Sequence, residues 1–66
     1  MVKVNGKELD VSGKTVSEIL DAEGYQPSQV AVELNLEILP KADYRGTILR
    51  DGDVLEIVSF VGGGCR

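Results

Sequence analysis

The residues best placed to do chemistry stand together at one end of the chain. A run rich in β-branched and large apolar side chains, Val54-Leu55-Glu56-Ile57-Val58-Ser59-Phe60-Val61, passes directly into Gly62-Gly63-Gly64 and then Cys65-Arg66. Residues of the first kind favour a stiff extended strand. Glycine has no Cβ, so a run of it is thin and takes whatever backbone angles a narrow channel demands. Three such residues reach roughly 10 Å at about 3.3 to 3.6 Å each, enough to carry a carboxyl group off a domain surface into another protein's active site. A glycine-rich end also fits simple fraying, so its meaning depends on the fold that precedes it.

Other candidates are weaker. Asp51-Gly52-Asp53 offers two carboxylates, but one short turn cannot supply the six to eight oxygens that calcium takes, and turn chemistry accounts for it better. Glu33, Glu37 and Glu56 sit in strand-like runs with no partner base, and read as solvent-facing residues without a catalytic role. The chain has no histidine and one cysteine, so it offers neither a thiol–imidazole metal site nor a histidine-assisted nucleophile. At 66 residues it holds one modest core, and a cavity enclosing a substrate would consume the side chains that hold the fold. The expectation is a protein handled by enzymes, not an enzyme, with no metal and no bound cofactor. Seven basic residues against eleven acidic ones, for a net charge of -4, are scattered, and with no tryptophan this argues against nucleic acid. Nothing signals secretion or membrane insertion, which points to the reducing cytoplasm.

The elements that would position the tail follow from pattern. Val2 to Val4 and Leu9 to Val11 read as strands joined by Asn5-Gly6, a pair suited to a tight hairpin. Thr15 and Glu18 form a capping box that starts a helix, Val16, Ile19 and Leu20 make its apolar stripe, and Gly24 suits the position after its last turn. Val30 to Leu34 and Leu36 to Leu39 read as two more strands around Asn35, closed by Pro40. Polar residues 41–47 predict a loop or single helical turn, and Val54 to Val61 the last strand. Strands flanking one helix bury its stripe only by packing it across a sheet. The prediction is an α+β, ubiquitin-like β-grasp fold, a mixed four- to five-stranded sheet on one helix. The domain spans 1–61, with a flexible glycine tail over 62–66. A ferredoxin-like sandwich would need a second full helix that residues 40–47 are too few and too polar to form.

Val4-Asn5-Gly6, Val30-Ala31-Val32-Glu33-Leu34-Asn35, Ile38, Pro40, Leu49, Asp51-Gly52-Asp53, Glu56-Ile57-Val58 and Phe60-Val61-Gly62-Gly63-Gly64 together resemble the thiamine-biosynthesis sulfur carrier (ThiS) family over almost the whole chain. The glycines alone also fit the molybdopterin-synthase small subunit and ubiquitin-like modifiers. The resemblance implies that a ubiquitin-activating-like adenylyltransferase (ThiF-like) uses ATP and magnesium to adenylate the terminal glycine. Sulfur from a persulfide enzyme then converts it to a thiocarboxylate, which a thiazole synthase (ThiG-like) consumes. By position Gly64 would bear the sulfur, with Gly62 and Gly63 as its thin lead.

In one respect the chain departs from the family, whose members end at glycine. Here Cys65 and Arg66 follow, and the Gly64 carboxyl is tied in a peptide bond. Either a peptidase removes both residues, the reading favoured here, or the chain as written is inactive in sulfur transfer; a tail left by expression is a third account. Direct attack of the Cys65 thiol on Gly64 is disfavoured, because nothing adjacent deprotonates a thiol of ordinary value near 8.5. Strand alternation adds a docking expectation. If Leu55 and Ile57 face the helix, then Glu56, Val58 and Phe60 face away, and Val58 with Phe60 forms an apolar strip leading to the tail. The rival reading has Phe60 folding back to seal the sheet edge. A sulfur carrier for another pathway (molybdopterin or amino-acid sulfur), a covalent modifier and a plain interaction module remain the alternatives in function.

Overall fold

Asn5 and Gly6 adopt φ of 50° and 86°, the positive values that both central residues of a type I′ hairpin turn require and that Asn and Gly tolerate best. The computed structural model describes residues 1–60, so Val61, the expected glycine tail and Cys65-Arg66 lie outside the described residues. Strand β1, Val2–Val4, pairs antiparallel with β2, Lys7–Leu9, Val4 lying opposite Lys7 and Val2 opposite Leu9. The strand expected over Leu9 to Val11 is corrected accordingly. A two-residue turn sets its pairing partners immediately on either side, so the strand begins at Lys7, while Val11 packs beyond it against the core.

Helix α1, Val16–Ala22, starts at the predicted capping box. The Glu18 N–H donates to Thr15 Oγ1 at 3.1 Å, and the Thr15 N–H donates to Glu18 Oε1 at 2.8 Å. Two further helix-start amides, of Val16 and Ser17, donate to the carbonyls of Thr47 and Tyr44. The segment preceding Leu49 therefore finishes the cap that the side chains begin. Val16, Ile19 and Leu20 are buried, and Gly24, at φ 82°, lets the chain leave the helix.

A 3₁₀ turn, Pro27–Gln29, leads into β3, Val30–Leu34. The next strand, β4, is Glu37–Leu39, one residue shorter than predicted because Leu36 is drawn into the hairpin turn beside Asn35. These two turn residues have φ of 72° and 53°. After a second 3₁₀ turn, Lys41–Asp43, the last strand β5 runs over Val54–Ser59. Residues 41–47 are not merely a polar loop: Tyr44 is buried in the core, and that burial raises the pKa of its phenol above the ordinary 10.0.

The five strands lie in the order β2-β1-β5-β3-β4. Strand β5 is parallel to β1 and antiparallel to β3, so the sheet is mixed and its last strand is central. One face, with Val2, Val4, Val30, Val32, Leu55 and Ile57, packs on the stripe of α1 together with Tyr44 and Leu49. This is the expected β-grasp arrangement. No helix among the described residues is long and apolar enough to cross a membrane.

Candidate functional site

A central strand is held from both sides, and two asparagines extend that hold past the ends of its neighbours. The Asn5 N–H donates to the Leu55 carbonyl at 3.0 Å, and Asn5 Oδ1 accepts from the Ile57 N–H at 2.7 Å. The side chain thus continues the β1–β5 ladder after β1 has turned away. Asn35 does the same at the start of β5: its N–H donates to the Val54 carbonyl at 2.8 Å and its Oδ1 accepts from the Val54 N–H at 2.9 Å. Its Nδ2 donates to Asp53 Oδ1 at 3.1 Å, and Asp53 Oδ2 accepts from the Arg50 N–H at 2.9 Å. Both oxygens of Asp53 are therefore engaged in turn chemistry around Gly52. Among the described residues no group of three or more metal-ligating side chains comes together.

Leu55 and Ile57 point into the core while Glu56, Val58 and Phe60 are exposed, as strand alternation requires. Phe60 is 62% exposed and Val58 59%, so Phe60 does not fold back to seal the sheet edge. The Phe60 N–H still donates to the Gln29 carbonyl at 3.1 Å. Pairing thus holds the strand up to the last described residue, immediately before the sequence that continues to Gly62, Gly63 and Gly64.

The face away from the helix has a definite layout. Val58 lies opposite Ala31, and Glu56 opposite Glu33, which in turn lies opposite Ile38. Ile38 is 78% exposed. An apolar strip made by Val58, Phe60, Ala31 and Ile38 therefore borders a pair of facing carboxylates. The one ion pair among the described residues joins the Met1 amino group to Asp51. Ala31 and Ile38 were not legible as members of the strip, since only the pairing register brings them beside β5. Asn5 and Asn35 carried a signal, because each opens a hairpin turn, but what their side chains hold depends on a strand far along the chain. On the helix side, Thr15, Glu18, Asp21, Tyr25 and Arg45 line an open groove. There the hydrogen bond from the Thr15 backbone N–H holds the Glu18 carboxyl below its ordinary 4.5.

Known proteins carry the same pattern. The model of the ThiS family matches residues 2–64. The sulfur carrier protein ThiS of Thermus thermophilus is 41% identical over 64 residues, covering 97% of this chain and 100% of that protein. A thiazole synthase of Paramagnetospirillum magneticum is 48% identical over 62 residues, covering 92% of this chain but 19% of that enzyme. A second thiazole synthase, of Magnetococcus marinus, is 33% identical over 64 residues, again about a fifth of its length. The crystal structure of the thiamine biosynthesis protein (ThiS) of Geobacter metallireducens superposes with a TM-score of 0.75 at 37% identity, covering 96% of this chain and 97% of that one.

Proposed function

The chain belongs to the ThiS family, and from that premise we propose that it is a sulfur carrier for thiamine biosynthesis, loaded as a thiocarboxylate on Gly64 once Cys65 and Arg66 are removed. The observation that carries this reading is the central strand β5. It is anchored on the β1 side as far as Ile57 and on the β3 side through Phe60, and it leads in sequence into Gly62-Gly63-Gly64, so that a rigid domain would present a thin tail to other proteins' active sites.

The chemistry explains why such a tail needs helpers. A free α-carboxyl titrates near 3.3 to 3.7 and at neutral pH is an anion that resists nucleophiles. An adenylyltransferase would join the Gly64 carboxylate to the α-phosphorus of ATP, with magnesium assisting, and release pyrophosphate. A persulfide sulfur would then attack the acyl carbon and expel AMP. The bond so formed is carbon–sulfur and the product an acyl disulfide; a second thiol would attack the sulfur on the persulfide enzyme's side of the sulfur–sulfur bond, forming an ordinary disulfide and releasing the thiocarboxylate on glycine. Thiazole synthase would take the sulfur and return the carboxylate. In each step the reacting groups beyond the tail belong to partners, and the carrier supplies reach and recognition. Val58 and Phe60 serve the second task as an apolar strip beside the exit of the tail.

The reading is tested by the intact mass of the protein isolated from its native host without alkylation. A chain ending at Gly64, wholly or partly shifted by one oxygen-to-sulfur exchange, supports it. A population consisting only of the full chain with Cys65-Arg66, from cells actively making thiamine, refutes it.

A further inference from the structure

We propose that Asn5 is a positioning residue for the sulfur-bearing tail: its side chain fixes the point on β5 at which the rigid domain ends, and so the place from which Gly64 is offered to the adenylyltransferase. The inference rests on the carrier reading above and adds to it a residue from the opposite end of the chain.

Strand β5 has unequal neighbours. Its pairing with β1 stops at Leu55, opposite Val4, whereas its pairing with β3 runs on to Ser59, opposite Val30. The hairpin turn takes β1 away at Asn5, and the Asn5 side chain fills the next place in the ladder by accepting from the Ile57 N–H at 2.7 Å. That bond is partly buried, and an N–H left unpaired there costs more than an exposed one. Packing stops at the same residue. Ile57 is the last residue of β5 with a buried side chain. Val58, Ser59 and Phe60 are exposed and are held by the pairing with β3 and by the Gln29 carbonyl. A strand end with so few buried apolar contacts opens at small free-energy cost. A core side chain and a pinned amide thus coincide at Ile57, and the lead beyond it, residues 58–64, spans at most about 25 Å. Without the Asn5 acceptor the Leu55 carbonyl, bonded to the Asn5 N–H at 3.0 Å, becomes the last tie on the β1 side. The burial of Ile57 alone then resists opening. An enzyme that takes the carrier with this end ordered meets a smaller competent fraction, and its apparent affinity falls by that fraction. The residue type fits the task. At φ 50° a glycine would satisfy the turn equally well, but only a short side chain with an acceptor also reaches the Ile57 amide.

The test uses the chain ending at Gly64, which keeps every described residue, and the adenylyltransferase of the same host, following ATP-dependent pyrophosphate release against carrier concentration. Parent, Asn5→Gly, Asn5→Asp and Thr15→Ala are compared at a temperature where circular dichroism shows all four fully folded. Asn5→Gly keeps the turn and loses the acceptor; it should raise the KM for the carrier about threefold to tenfold with little change in kcat. Asn5→Asp, which retains an acceptor, should recover the parent KM. Thr15→Ala weakens the helix start away from β5 and should keep the parent KM despite its lower stability. Native-state hydrogen exchange supplies a second readout. The Phe60 N–H bonds to Gln29 and not to Asn5, yet it should exchange faster in Asn5→Gly and not in Thr15→Ala. A parental KM in Asn5→Gly overturns the proposal. So does an equal rise of KM in Thr15→Ala, which would make the effect one of global stability. The carrier reading is scored on the parent: no pyrophosphate release removes that reading and the inference together, whereas parental turnover with a KM indifferent to Asn5 removes the inference alone.

Discussion

Leu36 occupies a backbone conformation suited to glycine, and replacing it with glycine should stabilise the protein. Its φ is 72°, beside Asn35 at 53°, in the turn between β3 and β4. The hairpin between β1 and β2 solves the same problem with Asn5-Gly6, at 50° and 86°. For an L-residue with a Cβ the left-handed region costs about 1 to 2 kcal/mol. Leu36→Gly removes that strain but frees the unfolded chain, which returns about 0.4 to 1 kcal/mol. Because Leu36 is 84% exposed, the packing lost is small, about 0.3 kcal/mol on the scale of a fully buried leucine. The net is a gain of about 0.5 kcal/mol, or about 2 to 4 °C in Tm for a domain of this size, measured by thermal and urea unfolding followed by circular dichroism. Leu36→Ala is the control, since it loses the same packing and keeps the strain; it should match the parent or fall slightly below it. The reciprocal change, Gly6→Ala, should destabilise, although a Cβ there would meet nothing within 4 Å, because the penalty is in the backbone angle alone. A Leu36→Gly protein that melts at or below the parent, with Gly6→Ala neutral, would refute the reasoning.

Three further outcomes follow from named bonds. Thr15→Ala removes the side-chain half of the helix cap and should cost about 1 kcal/mol in urea unfolding, with Thr15→Ser recovering most of it. Glu18 has a folded pKa lowered chiefly by the Thr15 backbone hydrogen bond. Its contribution is therefore present above the unfolded value and lost as pH falls through the folded one; the urea midpoint should drop below about pH 4.5 more steeply in the parent than in Glu18→Gln. Asn5→Gly keeps the positive φ but leaves the Ile57 N–H without its 2.7 Å partner, and should cost about 1 to 2 kcal/mol. Amide exchange at Ile57 should accelerate with it, whereas Asn5→Asp, which retains an acceptor, should protect that amide.

What the sequence made legible was local. The capping box at Thr15 and Glu18, the stripe of Val16, Ile19 and Leu20, the Asn5-Gly6 turn and the extent of β3 all depend on residues within a few positions of one another, and each stands where expected. The errors share one cause. Apolar residues predict the second strand at Leu9 to Val11, yet hairpin closure at Asn5-Gly6 decides its start at Lys7. Leu36 looked like a strand residue because leucine rarely adopts positive φ, and pairing of Glu37 with Leu34 forces it to do so. Tyr44 lies among polar neighbours, and only the packing of its loop against the helix start puts it in the core.

The same distinction separates the two halves of the candidate site. The glycine tail is a property of consecutive residues and could be read directly, as could the outward aim of Val58 and Phe60 once Leu55 and Ile57 are taken as core. The face they belong to is not consecutive in sequence. Ala31 meets Val58, and Glu33 meets Glu56, because β3 and β5 align antiparallel across an intervening stretch that also carries Tyr44 and Leu49 into the core. A shift of that register by one residue would turn every side chain of β5 to the opposite face, burying Glu56 and exposing Leu55. The buried Leu55 and Ile57 on β5 and Val30 and Val32 on β3 thus guard against the slip. In doing so they hold two carboxylates opposite each other on the outside, so the packing that stabilises the fold also sets the charge pattern a partner would meet.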